Sequence, residues 1–108
     1  MITFGAILGK CNLQQLFFLV WWEMIFYALN ETICVELISV SDAGGSILVH
    51  TFGAYFGLAA TYGFQPNRAK QSGNAQTSHA SQMVAMVGSI FLWMYWPSFN
   101  GALASGVA

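Results

Sequence analysis

Three long apolar segments, almost free of charged residues, constrain the fold of this chain more than any other feature. They cover residues of about 13–30, 39–64 and 82–103. Each is long enough to cross the hydrocarbon core of a bilayer, which takes roughly 17–25 residues of helix. Only three basic and four acidic residues occur among 108, too few to give a soluble domain its polar surface. We therefore predict an all-α membrane protein in which one domain, 1–108, contains about three transmembrane helices.

The segment 65–81 is polar and lacks apolar periodicity, which predicts a loop between the second and third spans. Lys10 precedes the first span, and Arg68 and Lys70 lie in this loop, so alternating crossings place all three basic residues on one side. Basic loop residues concentrate on the cytoplasmic side of membrane proteins. The loop is therefore predicted to be cytoplasmic, and the acidic residues between the first two spans are predicted to face outward.

Asp42, Ser46 and His50 recur at every fourth position in the second apolar segment. On an α-helix this spacing places them on one stripe about 12 Å long. An aspartate facing lipid would cost about 2.5–3.5 kcal/mol, so the stripe should face protein or a cavity. Burial favours the neutral imidazole of His50, which offers one donor and one acceptor. One interpretation is a lined passage for a small hydrogen-bonding solute, and the other is a histidine that bridges two helices.

Two glutamates of the first span receive different interpretations. Glu23 lies near the middle of the span with no basic residue beside it, and we favour a structural hydrogen bond over a transport role. Glu31 lies at the predicted outer end of the span, where an acidic side chain raises the local concentration of cations.

The second and third spans also carry packing signals. Gly53 and Gly57 form a G-x-x-x-G pair, which permits close helix packing in a membrane. Pro97 lacks a backbone donor and can kink or end the third span. Aromatic residues cluster just before this proline, either as an interfacial belt or as a constriction lined by rings: Trp93, Tyr95 and Trp96.

The sequence shows no pattern typical of an enzyme, a metal site or a nucleic-acid-binding surface. It contains no recognisable nucleophile–base pair, and the glycine-rich stretch 5–10 lacks the full phosphate-loop spacing. Cys11 and Cys34 are predicted to be packing residues, because no metal-ligand spacing accompanies them. We predict no catalytic residue, no cofactor and no nucleic-acid partner.

Four blocks of the sequence together resemble the Rh glycoprotein branch of the ammonium transporter family. They are FGAILGKCNLQQL, the Asn30-Glu31 pair, SDAGGSILVHTFGAYFGLA and MVGSIFLWMYWPSFNGAL. The resemblance implies a fold of eleven or twelve spanning helices, assembled as a trimer with one pore in each protomer. The three spans predicted here look like the fourth, fifth and sixth helices of that fold, which implies an internal fragment.

The resemblance also implies roles for individual residues. His50 matches the first of two pore histidines, and the second lies beyond this chain. Asp42 matches an aspartate near the outer end of the pore that shapes an ammonium recruitment site. Phe99 matches one of two stacked phenylalanines that gate the outer entrance, and Asn100 follows the gate as the family pattern has it. Glu31 matches an acid of the outer vestibule.

The function implied is conduction of ammonia, and also of carbon dioxide, by a homotrimer or an Rh hetero-oligomer in the plasma membrane. The alternative is an Rh-type structural membrane protein that acts as a scaffold without transport. Gln82 departs from the vertebrate Rh pattern, which has an acid at this inner position. An acidic exit path on the cytosolic side is therefore not expected here.

Overall fold

The computed structural model describes residues 1–64, 73–102 and 104, and every regular element in those residues is helical. In chain order the elements are α1 (Ile2–Ile7), α2 (Leu13–Thr32), a first π-helical turn (Ile33–Leu37), a second π-helical turn (Ser46–Thr51), α3 (Phe52–Phe64), a 3-10 turn (Gly73–Ala75) and α4 (His79–Gly101). The predicted all-α fold class is confirmed.

Side-chain caps fix where the two longest helices begin. At the start of α2 the Asn12 side chain accepts from the Gln15 backbone N–H at 2.8 Å, and the Gln15 side chain accepts from Asn12 N–H at 2.9 Å. Ser78 and Ser81 form the same reciprocal pair at the start of α4. Both pairs satisfy backbone donors that the first turn of a helix leaves free.

The helical spans differ in their limits from the predicted ones. Two continuous stretches, Leu13–Leu37 and Ser46–Phe64, are long and apolar enough to cross a membrane among the described residues. The first therefore continues past residue 30, and the second begins later than residue 39. Apolarity indicates which residues favour lipid, but caps and turns decide where the hydrogen-bond ladder stops.

The third predicted span corresponds to α4, which at 23 residues extends about 34 Å but is not one of the two described stretches that are apolar enough to cross a membrane. It begins at His79, inside the segment predicted as a loop, because Ser78 caps it there. Pro97 lies within the helix and does not end it. The end of the predicted span at residue 103, and residues 65–72 of the predicted loop, lie outside the described residues.

The short helix α1 packs against α3 at the G-x-x-x-G pair. A Cβ atom at Gly53 would come within 3.0 Å of the Ile2 Cβ, and one at Gly57 within 3.0 Å of the Ala6 Cβ. The close packing predicted for this pair is confirmed, with α1 as the partner helix. The apolar core beside it is small, and its buried members are Ile7, Leu19 and Ala60.

Thr3 joins three helices at one buried point. Its side chain is 2% exposed, its hydroxyl donates to the Glu23 carboxylate of α2, and the same hydroxyl oxygen lies 3.1 Å from the Gly53 carbonyl oxygen. Glu23 thus makes the structural hydrogen bond that we favoured for it, and its partner is a residue of this chain. Cys11 packs on the edge of the core, as predicted for a packing residue.

Candidate functional site

The second π-helical turn presents His50. It begins after Gly45, whose φ of 71° lies in the left-handed region that glycine adopts without strain. The His50 backbone N–H then bonds the Gly45 carbonyl five residues earlier, at 2.9 Å. The Thr51 hydroxyl donates to the Ser46 carbonyl at 2.8 Å over the same separation. Such wide turns are rare and are frequently found at functional sites.

The imidazole of His50 is held by one hydrogen bond and two aromatic rings. Its Nδ1 lies 2.9 Å from the Gly45 carbonyl oxygen, and because a carbonyl only accepts, Nδ1 carries the proton. The ring meets Trp96 edge-on at 4.9 Å between centroids and Phe99 edge-on at 5.9 Å. When the ring is neutral, its Nε2 is therefore an unprotonated acceptor.

A cavity of about 410 Å³ opens beside this histidine. Its lining residues are His50, Phe91, Leu92, Tyr95, Trp96 and Phe99. The sequence pointed to four of these residues, but not to Phe91 and Leu92. Helical spacing could have found them, since Phe91 and Tyr95 are four residues apart and stack at 6.1 Å.

The lining of this cavity bears on the two interpretations of the aromatic cluster in α4, an interfacial belt or a constriction lined by rings. Tyr95 and Trp96 line the cavity, whereas the Trp93 side chain is 81% exposed. Trp96 stacks on Phe99 at 5.5 Å with 28° between the planes. Two of the three rings therefore belong to a ring-lined wall, and the third faces outward.

The prediction that Asp42, Ser46 and His50 share one α-helical stripe is wrong. The helix begins at Ser46, and Asp42 lies in the turn before it. Its carboxylate accepts backbone N–H bonds from Ser46, Ile47 and Leu48, each at 2.9 Å. Aspartate before a helix favours this capping geometry over a place inside the helix, because it satisfies donors that the first turn leaves free.

The capping bonds also stabilise the charge of Asp42. The N–H of Leu48, followed by those of Ile47 and Ser46, holds the pKa of the Asp42 carboxyl below its ordinary value of 3.8, although desolvation acts in the opposite direction. Three bonds leave a carboxylate with further acceptor capacity. Asp42 therefore places a negative charge, at pH values above its ordinary pKa, at the start of the helix that carries His50.

Ser46 and Asn100 contact each other and stand apart from the cavity wall. The Ser46 hydroxyl lies 3.4 Å from Asn100 Oδ1, and the Asn100 amide nitrogen donates to the Trp96 carbonyl at 2.9 Å. Neither side chain is among those that line the cavity in the described part of the chain.

Glu31 lies apart from the His50 cavity, within the helical stretch that continues to Leu37. It lines a polar depression of about 280 Å³ with Thr32, Val35 and Glu36. Glu31 and Glu36 thus share one acidic surface, and the place of Glu31 at the outer end of a span stays a prediction. Within residues 1–64 and 73–102, no group of three His, Cys, Asp or Glu side chains is placed to hold a metal ion.

Comparison with known proteins identifies the family of this chain. The family model named Ammonium Transporter Family matches residues 1–108. The chain belongs to the ammonium transporter family. Ammonium transporter Rh type C of Homo sapiens is 46% identical over 104 residues, which cover 95% of this chain and 22% of that protein. Ammonium transporter Rh type B of Oryzias latipes is 45% identical over 104 residues, with the same two coverages.

These relatives confirm the resemblance to the Rh branch of the ammonium transporter family. Proteins of this family are membrane proteins, so the chain is part of a membrane protein. The chain spans 22% of the length of these two curated relatives. No solved structure matches it.

Proposed function

We propose that the complete protein to which this chain belongs conducts ammonia through a hydrophobic pore lined by His50. The names of its relatives, ammonium transporters of Rh types B and C, support the substrate class. The observation that carries the proposal is a single imidazole set in a cavity whose other lining side chains are aromatic or aliphatic. Such a wall favours a small neutral solute that needs one hydrogen-bond partner.

The cavity discriminates between the two forms of the substrate by the cost of dehydration. Moving an isolated ammonium ion from water into an apolar surrounding costs on the order of tens of kcal/mol, whereas a neutral polar molecule loses only a few hydrogen bonds. The Nδ1–H of His50 is already bonded to the Gly45 carbonyl, so Nε2 is left to accept a bond from an N–H of ammonia. A bond to Nε2 compensates part of the hydration that ammonia loses.

The acidic side chains before the pore act on the cation. Asp42 remains ionised, and with Glu31 and Glu36 it raises the concentration of ammonium near the outer entrance. The ion then releases its proton to the outer water, and the neutral base passes Phe99, which serves as the gate. Ser46 and Asn100, which do not line the cavity, support the outer end of this route through their contact with each other.

The proposal includes the assembly and the second permeant that the family resemblance implies. Carbon dioxide is neutral, so the aromatic wall imposes no charge penalty on it, and we propose it as a second permeant. The pore lies within each protomer of a homotrimer, or of an Rh hetero-oligomer, in the plasma membrane.

Uptake of methylammonium by cells that lack their own ammonium transporters tests this function in the complete protein. Replacing His50 by Leu removes the hydrogen-bond acceptor, and we expect uptake per assembled trimer to fall about tenfold, as for the loss of one buried hydrogen bond. His79→Leu is the matched control, because His79 is exposed in the first turn of α4, and uptake should not change.

The same assay separates the channel from the scaffold. Assembled wild-type protein without uptake would favour the scaffold. Loss of assembly in His50→Leu would instead favour a histidine that bridges helices.

A further inference from the structure

α4 is joined to the preceding helices at its C-terminal end. Among the described residues, the hydrogen bonds and ring contacts between them involve only Trp96, Phe99 and Asn100 of α4. The two rings meet His50, and the amide meets the turn just before it. The position of the aromatic wall over the imidazole therefore depends on very few contacts.

The Asn100 side chain packs directly against the backbone of Gly44. Gly44 is buried, and a Cβ atom there would overlap Asn100 Oδ1 and come within 2.9 Å of the Asn100 Cβ. Only a residue without a side chain allows this approach. The turn that contains Asp42 and Gly44 is thus in direct van der Waals contact with the last turns of α4.

The two ends of the Asn100 amide have different partners. Its nitrogen donates to the Trp96 carbonyl on its own helix at 2.9 Å, which fixes the amide plane relative to α4. Its oxygen then faces Gly44 and the Ser46 hydroxyl. Gly44 and Ser46 belong to the polypeptide, and neither lines the cavity.

We propose that Asn100 is a positioning residue that holds the Trp96–Phe99 pair against His50 and does not contact the solute. This assignment rests on the proposed function, since the wall that Asn100 positions is the wall of the proposed pore. It also changes the role that sequence resemblance suggested, from a member of the pore to a link behind it. Asparagine suits the place because one planar group both donates and accepts, whereas aspartate lacks the donor to Trp96.

A double-mutant cycle in the complete protein tests the contact between Gly44 and Asn100. The variants are Gly44→Ala, Asn100→Gly and the two together, with Gly101→Ala as a control, because a Cβ there meets open space in the described part of the chain. The measurements are the Tm of the purified protein and methylammonium uptake per assembled protein. In the wild-type background, Gly44→Ala should lower uptake about tenfold, because the two residues are in direct contact. In the Asn100→Gly background, the same change should lower uptake by about twofold at most.

Rescue distinguishes positioning from contact with the solute. A double variant that conducts better than Gly44→Ala supports the proposal, because removing the amide makes room for the added methyl group. The proposal would be overturned if Gly44→Ala lowered the Tm by the same amount, and uptake by the same factor, with asparagine and with glycine at position 100. Uptake abolished by Asn100→Gly and left intact by Gly44→Ala would also overturn it, since the amide would then act on the solute.

The Tm cycle keeps this test separate from the proposed function. If the wild-type protein assembles but carries no methylammonium, the proposed function fails. A change in Tm for the double variant that differs from the sum of the two single changes would still support the contact between Asn100 and Gly44. Additive changes in Tm would refute that contact.

Discussion

At the scale of single residues, Asp42 combines two tasks, and the spacing of the sequence indicated neither the cap nor its link to the charge. Its carboxylate caps the helix that begins at Ser46, and it also carries the negative charge proposed to attract ammonium. A simple deletion of the side chain removes both. The two contributions separate only if the charge and the acceptor oxygens are changed independently.

Replacing Asp42 in the complete protein should show this separation. Asp42→Ala loses charge and acceptors, so we expect a sharp fall in methylammonium uptake together with a lower Tm. Asp42→Asn retains one acceptor oxygen without the charge, so its Tm should lie between those of the wild type and Asp42→Ala. Near-normal uptake by a well-assembled Asp42→Asn variant would contradict the role of the charge in recruitment.

The pH dependence of the Tm shows whether the ionised Asp42 side chain stabilises the folded state. Folding lowers the pKa of Asp42, so its ionised form stabilises the folded state at every pH above its ordinary value of 3.8. That contribution is lost as the pH falls through the lowered pKa. The difference in Tm between the wild type and Asp42→Asn should therefore be constant near neutral pH and should shrink only below about pH 4.

At the scale of elements, two features shape the second span: the π-helical turn at His50 and the packing of α1 on α3. The turn shifts the histidine relative to an α-helix, because the backbone bond to Gly45 spans five residues. The seat of α1 brings Thr3 and Ala6 onto the glycine face of α3. Neither feature follows from apolar periodicity. Each depends on a close contact of backbone atoms, within the turn or between the two helices, that only the folded chain shows.

A methyl group on the glycine face of α3 should weaken the seat of α1. In Gly57→Ala the new Cβ lies 3.0 Å from both the Ala6 Cβ and the Thr3 carbonyl oxygen, so we expect a loss of about 1–3 kcal/mol in folding stability. Gly63→Ala is the matched control on the same helix, because, apart from its chain neighbours and the backbone of its own helix, no described residue lies within 4 Å of a Cβ atom there. That change should be neutral or stabilise by about 0.5–1 kcal/mol.

Thermal unfolding of the complete protein compares these two glycine variants under one condition. A Gly57→Ala protein as stable as Gly63→Ala would mean that α1 does not rest on this face.

At the scale of the whole molecule, this chain forms one side of the cavity. The side chains of α4 that line it remain about half exposed, as Phe91 is 57%, Tyr95 58% and Phe99 50% exposed. A hydrophobic pore has to exclude bulk water to impose a dehydration cost on ammonium. In the part of the chain that the structure describes the cavity stays open, so the proposed pore requires further wall residues.

Expression of residues 1–108 alone tests that conclusion. We expect no methylammonium uptake above background in cells that lack ammonium transporters, because the open cavity admits water beside His50. The complete protein, expressed to the same membrane level, is the positive control. Uptake by the isolated chain would show that these helices close a pore by themselves or as an oligomer.

The sequence by itself determined the class of this protein, because the preference of a residue for lipid is a local property. Apolar runs indicated the helical spans, the G-x-x-x-G pair indicated close packing, and four blocks indicated the Rh branch of the ammonium transporter family. His50 and Phe99 were singled out from the same information, and the structure brings their rings to 5.9 Å.

Only the tertiary structure decided how the site is built. The approach of Asn100 to Gly44 and Ser46 joins segments more than 50 positions apart in the chain, and such contacts leave no periodic trace in a sequence. The cap by Asp42 is local, but its spacing from Ser46 also fits a helix, and the left-handed Gly45 between them decided against one. Spacing shows which residues can share a face, and the backbone between them determines whether they do.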